Sequence, residues 1–132
     1  MHASTVVADE VQIRTLAHLL LAARRPLIVA QRGAGTADGF AALARLADRL
    51  AIPVCQYWAI ALAIASEHPC SVGQDPMPWL AEADLVLVID SLAPWSPDLH
   101  RLHDDAQAVH LGPDPLDHRV PVRNFRADMA LT

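Results

Sequence analysis

The sequence predicts an α/β domain, a three-layer, doubly wound parallel sheet with helices on its faces. Two patterns carry the prediction. The first is an apolar run, Pro26-Leu27-Ile28-Val29-Ala30, that enters a glycine loop, Gly33-Ala34-Gly35-Thr36, and then a helical repeat. The second is Ala83-Asp84-Leu85-Val86-Leu87-Val88-Ile89-Asp90, apolar through its middle, as a strand buried on both faces must be. Strand, glycine loop and helix in succession let the backbone approach a ligand phosphate and aim helix amides at it. The leading architecture is therefore a nucleotide-binding type of domain. The pattern supplies no chemistry of its own.

Taken in order, Asp9-Glu10-Val11-Gln12 has capping-box spacing, with an acid at the N-cap and Gln at N3. The helix that follows puts Ile13, Leu16, Ala17, Leu20 and Ala23 on one face, a 3.6-residue period. Arg24 and Arg25 are expected in its last turn, where cations suit the dipole, and Pro26 stops it. The first strand follows. Thr36 is the N-cap of a helix to Leu50 that turns Phe40, Leu43, Ala47 and Leu50 toward the sheet. Pro53-Val54-Cys55-Gln56-Tyr57 reads as the second strand and His68-Pro69-Cys70-Ser71-Val72-Gly73 as a short third, or its remnant. Residues 58–65 alternate like a strand yet are alanine-rich like a helix, and receive no assignment. A short helix over 78–83, a fourth strand over 85–89 and a fifth over 108–111 complete the repeat, with a last strand near Val120 to Arg126.

Composition narrows the function classes. At 132 residues the chain is a single domain spanning 1–132. It is 53% hydrophobic with mean hydropathy +0.24, so it carries apolar surface suited to other domains or a partner subunit. A net charge of −5 excludes the basic stripe of a nucleic-acid binder. No apolar run reaches the roughly 18 residues of a membrane span, and the start lacks the basic and apolar segments of a secretory signal. Cys55 and Cys70 form no disulfide framework and read as two buried small side chains, which points to the reducing cytoplasm.

Gly33, Gly35 and Gly39 spell G-x-G-x-x-x-G, one residue longer than the dinucleotide fingerprint. The acid that the NAD fingerprint wants at the end of the second strand is absent from Val54-Cys55-Gln56-Tyr57-Trp58, which disfavours an NAD site. Two readings of the loop remain, a phosphate cradle or glycines that merely turn strand into helix. At the carboxyl ends of the strands stand Gln31, Asp90, Ser91 and Asp114. Asp90 and Asp114 suit either ribose hydroxyls or turn capping. His100 and His103, at i, i+3 on a helix, would share a face for a metal, but no third ligand has matching spacing, and a solvated helix end explains them. Ser66 and Ser71 near His68 lack the elbow of a triad. No catalytic residue and no metal ligand is assigned.

The order of segments resembles the central domain of thiamine-diphosphate-dependent enzymes, closest to the acetolactate synthase large-subunit group. The resemblance rests on Ala22-Ala23-Arg24-Arg25-Pro26-Leu27-Ile28-Val29-Ala30, the Gly33-Ala34-Gly35 loop, and Leu43-Ala44-Arg45-Leu46-Ala47-Asp48-Arg49-Leu50-Ala51-Ile52-Pro53-Val54. Glu67-His68-Pro69 with Gly73, then residues 83–89, then Val109-His110-Leu111-Gly112-Pro113-Asp114-Pro115 continue it in order. It covers nearly the whole chain. It implies a six-stranded, Rossmann-like parallel sheet of order 3-2-1-4-5-6, of the kind that holds FAD in acetolactate synthases and pyruvate oxidases. It also implies that the glutamate that activates the thiamine lies in a preceding domain. The Gly-Asp-Gly…Asn motif for magnesium and diphosphate lies in a following one, and no Gly-Asp-Gly occurs here. The chain thus resembles an excised middle domain whose partners are the two other domains.

Departures from the resemblance bear on the cofactor. Where FAD-binding relatives carry Gly-Ala-Arg after the fourth strand, this chain has Asp90-Ser91-Leu92, and Gln74-Asp75-Pro76-Met77-Pro78 replaces a histidine- and glycine-rich loop. With Asp90 in place of the small residue and Leu92 in place of the cation, an anion's grip is weakened, so little or no flavin is expected. ADP is expected to bind weakly at most, through Gly33, Gly35 and Thr36, with Asp90, Ser91 and Asp114 alongside. The alternative function is a free-standing ADP, FAD or NAD(H)-binding module without catalysis. The apolar stretch with Trp58, Ile60, Leu62 and Ile64 is expected to join two copies into a homodimer.

Overall fold

A computed structural model of the chain describes residues 9–91, 93–96, 100–112 and 126–131. Asp9 caps the first helix as its spacing requires, its carboxylate accepting the Val11 N–H at 2.8 Å, and α1 runs Glu10–Ala22. Arg24 and Arg25 lie past its end rather than in its last turn. Their backbone N–H groups instead donate to the Asp84 carboxylate at 2.8 and 2.9 Å, fastening the chain beside the strand it will pair with. Only the C-terminal half of α1 reaches the core, through Leu16 and Leu20 with Leu19 and Ala23 packed alongside. Ile13 and Ala17, expected on that face, are exposed, as is Val11.

The strands are β1 (Pro26–Ala30), β2 (Val54–Cys55), β3 (Leu85–Ile89), β4 (Gln107–Leu111) and β5 (Met129–Leu131). All pair in parallel, in the order β2-β1-β3-β4-β5. The expected third strand is present as a remnant beyond β2. Val54 donates to the Cys70 carbonyl at 2.8 Å, Val72 to the Val54 carbonyl at 3.0 Å, and Gln56 to the Gly73 carbonyl at 2.8 Å, around a single bridge between Val54 and Ser71. Pro69, which has no N–H to donate, precedes this ladder, and Gly73 at φ +83° turns away after it. The predicted order thus survives with five described strands instead of six. The last strand is Met129–Leu131, later than expected: Arg126 lies outside it, and 120–125 lie outside the described residues. A three-residue strand is too short to show a period.

Side chains alternate across the sheet as strand geometry demands. Ile28, Ala30, Leu85, Leu87, Val109 and Leu131 face one core, covered by α1 and by α2 (Ala37–Leu50) through Leu43 and Ala47. Leu27, Val29, Cys55, Val86 and Val88 face the other, covered by α3 (Met77–Leu80) and Trp95. Among the described residues this second cover is thin. α3 also starts and stops earlier than the 78–83 expected, and Asp75 accepts the Met77 N–H at 3.0 Å.

Residues 58–65 form neither helix nor strand. The Gln56 side chain, buried, accepts the Ala63 N–H at 2.8 Å and donates to the Ile64 carbonyl at 3.3 Å, pulling Ala63 and Ile64 into the core. Trp58, Ile60 and Leu62 remain 72%, 76% and 52% exposed. The apolar surface stretch therefore comprises three of its four expected members, since Ile64 is fully buried.

Candidate functional site at the switch point

β1 has β2 on one side and β3 on the other, so the loops leaving β1 and β3 part at the carboxyl edge. In an open parallel sheet that parting is where ligands bind. Here it is laced by the chain itself. The Gln31 carbonyl accepts the Ile60 and Ala61 N–H groups at 2.7 and 3.3 Å. The Gln31 side-chain amide reaches across to Ala93, donating to its carbonyl and accepting its N–H, both at 3.5 Å. The Arg32 N–H donates to the Asp90 carbonyl at 3.0 Å, and Arg32 Nη1 lies 3.4 Å from Asp90 Oδ1.

The glycine loop follows. Gly33 and Gly35 have φ of +88° and +83°, a region open to glycine and costly for other residues. A Cβ at Gly33 would lie 3.3 Å from the Ala61 Cβ and 3.4 Å from the Leu62 carbonyl, whereas one at Gly35 would meet nothing. Gly39 carries the tightest demand: a Cβ there would run into the Ala34 carbonyl oxygen. The third glycine of the run thus lets the first turn of α2 close on its own loop. Thr36 caps α2 as predicted, its hydroxyl accepting the Gly39 N–H at 3.1 Å, so one of the first helix amides is already occupied.

Between the loop and the 58–65 segment lies a depression of about 350 Å³ lined by Arg32, Gly33, Gly35, Thr36, Phe40 and Leu62. That volume is at the small end of ligand sites, about 300–1,000 Å³. The residues suit one phosphate-bearing group. Of the site residues expected from sequence, Gly33, Gly35 and Thr36 share this depression. Asp90 stands beside it through Arg32, Ser91 is buried in the adjoining loop, and Asp114 lies outside the described residues. Asp90 itself has φ +39°, a position where glycine or a short polar residue is at ease, and Gly112 packs against it. Arg32 was not singled out in the sequence. A cation directly between the strand and its first glycine is the signal that marks it.

The histidines act as brackets. Nδ1 of His68, His100 and His103 each accepts a backbone N–H, from Cys70 at 3.0 Å, Ser96 at 2.9 Å and Asp105 at 3.1 Å. His100 and His103 lie in a turn and not on a helix, so the shared helical face expected for them does not form. Asp48, His68 and Cys70 bring one donor atom each within 4.8 Å, a grouping not foreseen. With Nδ1 of His68 accepting an N–H, its Nε2 carries the proton and donates it to Asp48 at 2.9 Å. That tautomer opposes a metal at Nε2. Cys55, buried in β2, has its thiol pushed up to about 12 by burial, then by Asp75, against a lowering hydrogen bond from Tyr57; it is no nucleophile at neutral pH.

Sheet, switch point and glycine loop together define a doubly wound domain of the nucleotide-fold class. The chain belongs to the family described as thiamine pyrophosphate enzyme, central domain, whose model matches residues 13–131. Solved structures share the fold. A Mycobacterium smegmatis protein described as a thiamin diphosphate-dependent enzyme superposes with a TM-score of 0.76 at 21% identity, over 99% of this chain and 27% of that one. The thiamine diphosphate-dependent 4-hydroxybenzoylformate decarboxylase of Rhodococcus jostii RHA1 gives 0.70 at 21% identity, over 85% of this chain and 23% of that one. This chain therefore spans about a quarter of the length of each. No curated protein matches the sequence. No helix among the described residues is long and apolar enough to cross a membrane.

Proposed function

We propose that this chain is the central, structural domain of a longer thiamine-diphosphate enzyme that makes or breaks C–C bonds beside the carbonyl of 2-oxo acids, as acetolactate synthases do. The observation that carries the reading is the family match over residues 13–131, in a chain about a quarter as long as its structural neighbours. The Rhodococcus neighbour, named for a 2-oxo acid decarboxylase, is in keeping with that substrate class. Thiamine diphosphate and magnesium would be held by the other domains, supplying the carbanion chemistry there, while this domain contributes a rigid sheet between them. At the switch point the Gly33–Gly35 loop and Thr36 favour at most weak binding of an adenine nucleotide, with the flavin absent. The apolar side chains exposed on α1, Val11, Ile13 and Leu21, support a homo-oligomeric assembly, and the two free cysteines a cytoplasmic location.

The test is a pair of assays with pyruvate, thiamine diphosphate and magnesium. The full-length native product is expected to release carbon dioxide or form acetolactate, and the 132-residue chain to do neither. Turnover by the short chain, or a native reading frame with no further domain, would overturn the proposal.

A further inference from the structure

Resting on the homo-oligomeric part of that reading, we infer that two copies of this chain pair through α1, laid antiparallel about a two-fold axis at Ala17. Helix spacing puts Glu10, Ile13, Ala17 and Leu21 on one side of α1, next to the face that Leu16 and Leu20 bury in the core. The apolar part of this stripe is uncovered, with Ile13 44% and Leu21 70% exposed. Beside it, between α1 and α2, runs a groove of about 260 Å³ lined by Ala17, Leu20, Leu21, Leu46, Arg49 and Leu50. Stripe and groove thus lie together on one surface, a ridge next to the hollow that could receive another ridge.

The occupant is selected by a symmetry in the helix itself. Ile13 and Leu21 stand at equal spacing before and after Ala17, and so do Glu10 and Arg24. Reversing one copy against another sets Ile13 opposite the partner's Leu21 and Glu10 opposite the partner's Arg24, twice over, as an isologous contact requires. Ala17, the smallest side chain of the stripe, falls at the crossing, where it lets the two backbones approach. Charge points the same way. Acid gathers at the amino end of α1, in Asp9 and Glu10, and base beyond its carboxyl end, in Arg24, with Arg49 on the groove rim. Antiparallel pairing joins the unlike ends and opposes the helix dipoles, whereas parallel pairing sets like against like. A different protein surface has no reason to match this reversal, and a second copy matches it by construction. One 13-residue helix and a groove offer fewer residues than the about 20–30 a side of a stable complex, so the pairing is weak and concentration-dependent.

Sedimentation equilibrium and diamide cross-linking of the 132-residue chain test the inference. The mass is expected to rise from monomer toward dimer with concentration, and Leu21→Gln, at an exposed position, to hold it at monomer. Ile60→Gln, in the other exposed apolar stretch, is expected to leave the rise unchanged. Arg24→Glu should weaken association several-fold, and Glu10→Arg added to it should restore association, a rescue that a merely structural role would not give. Ala17→Cys is expected to cross-link two copies beyond the level of the parent, since a residue on a two-fold axis meets its own counterpart; Thr15→Cys, on another side of α1, is not. A monomer at every concentration would overturn both the inference and the homo-oligomeric reading. A dimer lost in Ile60→Gln and kept in Leu21→Gln would overturn the inference alone and assign association to the 58–65 segment. Failure of Ala17→Cys to cross-link in the full-length native product would assign the stripe to another domain and overturn the inference as well.

Discussion

The two edges of the sheet are built on opposite principles. At the amino edge, entry into β1 and β3 is settled by satisfied hydrogen bonds: Asp84 receives the Arg24 and Arg25 amides on its carboxylate, and its carbonyl accepts the Gln107 N–H at 3.0 Å. At the carboxyl edge, exit from the strands is settled by unusual backbone. Gly33, Gly35, Trp58, Gly73 and Asp90 all have positive φ there, with Ala51 the counterpart at the amino edge. Strain gathers where a sheet of this type offers its binding crevice, and comfort where it is merely held together. Hydrogen bonds to Asp84 dominate the first edge, with Ala51 as its left-handed exception, and glycine or a tolerated exception dominates the second.

The largest break in that contrast is expected from Gly39→Ala. The new methyl has to displace the Ala34 carbonyl, a backbone group with no rotamer to escape into, at a cost of about 3 kcal/mol. Urea unfolding measures it. Gly33→Ala follows at about 1–2 kcal/mol, because it combines the wrong φ with contacts on Ala61 and Leu62.

At the opposite edge, Asp84→Ala removes the acceptor of two backbone amides and is expected to cost about 1 kcal/mol. Burial works to raise the Asp84 carboxyl, but the Arg24 and Arg25 hydrogen bonds prevail and hold it below its ordinary value of 3.8. Its folded pKa being depressed, its contribution is complete above that ordinary value and disappears as pH falls through the folded one. Stability of the parent and of Asp84→Ala measured from pH 6 down to pH 2 is therefore expected to converge in acid.

Gly35→Ala meets no neighbour and isolates the backbone term alone, about 1 kcal/mol or slightly less. A cost equal to that of Gly33→Ala would show that contacts with the 58–65 segment contribute nothing.

The smallest effect on stability belongs to Asp90→Asn, which keeps the side-chain shape and accepts positive φ, and which exchanges one half-exposed ion pair for an amide, within about 0.5 kcal/mol. Its effect on ligands is expected to be the opposite of small. Removing the carboxylate makes the surroundings of the glycine loop one charge more positive, and ADP titrated by calorimetry should bind the variant measurably more tightly than the parent. Unchanged heats would show that Asp90 does not guard the loop.

What was legible in the sequence had local determinants. Asp9 and Thr36 cap the helices they were expected to cap, and the apolar runs of β1 and β3 need burial on both faces to make sense. What escaped was set by distant partners. The exposed Ile13 depends on how far α1 reaches over the sheet, which no period within the helix reveals. The 58–65 segment is decided by one buried amide, Gln56, outside the segment itself. The glycine loop was readable as a pattern, yet its most demanding member, Gly39, was the one that made the pattern look irregular. Asp90 was noticed as an acid, while its pairing with Arg32 needed the two strand ends side by side.

The reduction of the third strand to a single bridge decides how the sheet meets its surroundings. β2 is two residues long, and its outward groups at Val54 and Gln56 are already taken by the segment from Cys70 to Gly73. A longer bare edge would offer a row of open N–H and C=O groups on which another chain could add itself, the first step toward amyloid-like stacking. Here a turn-bounded remnant stops that growth with almost no strand. Association on this flank is thereby left to side chains, which choose their partners, and denied to the backbone, which does not.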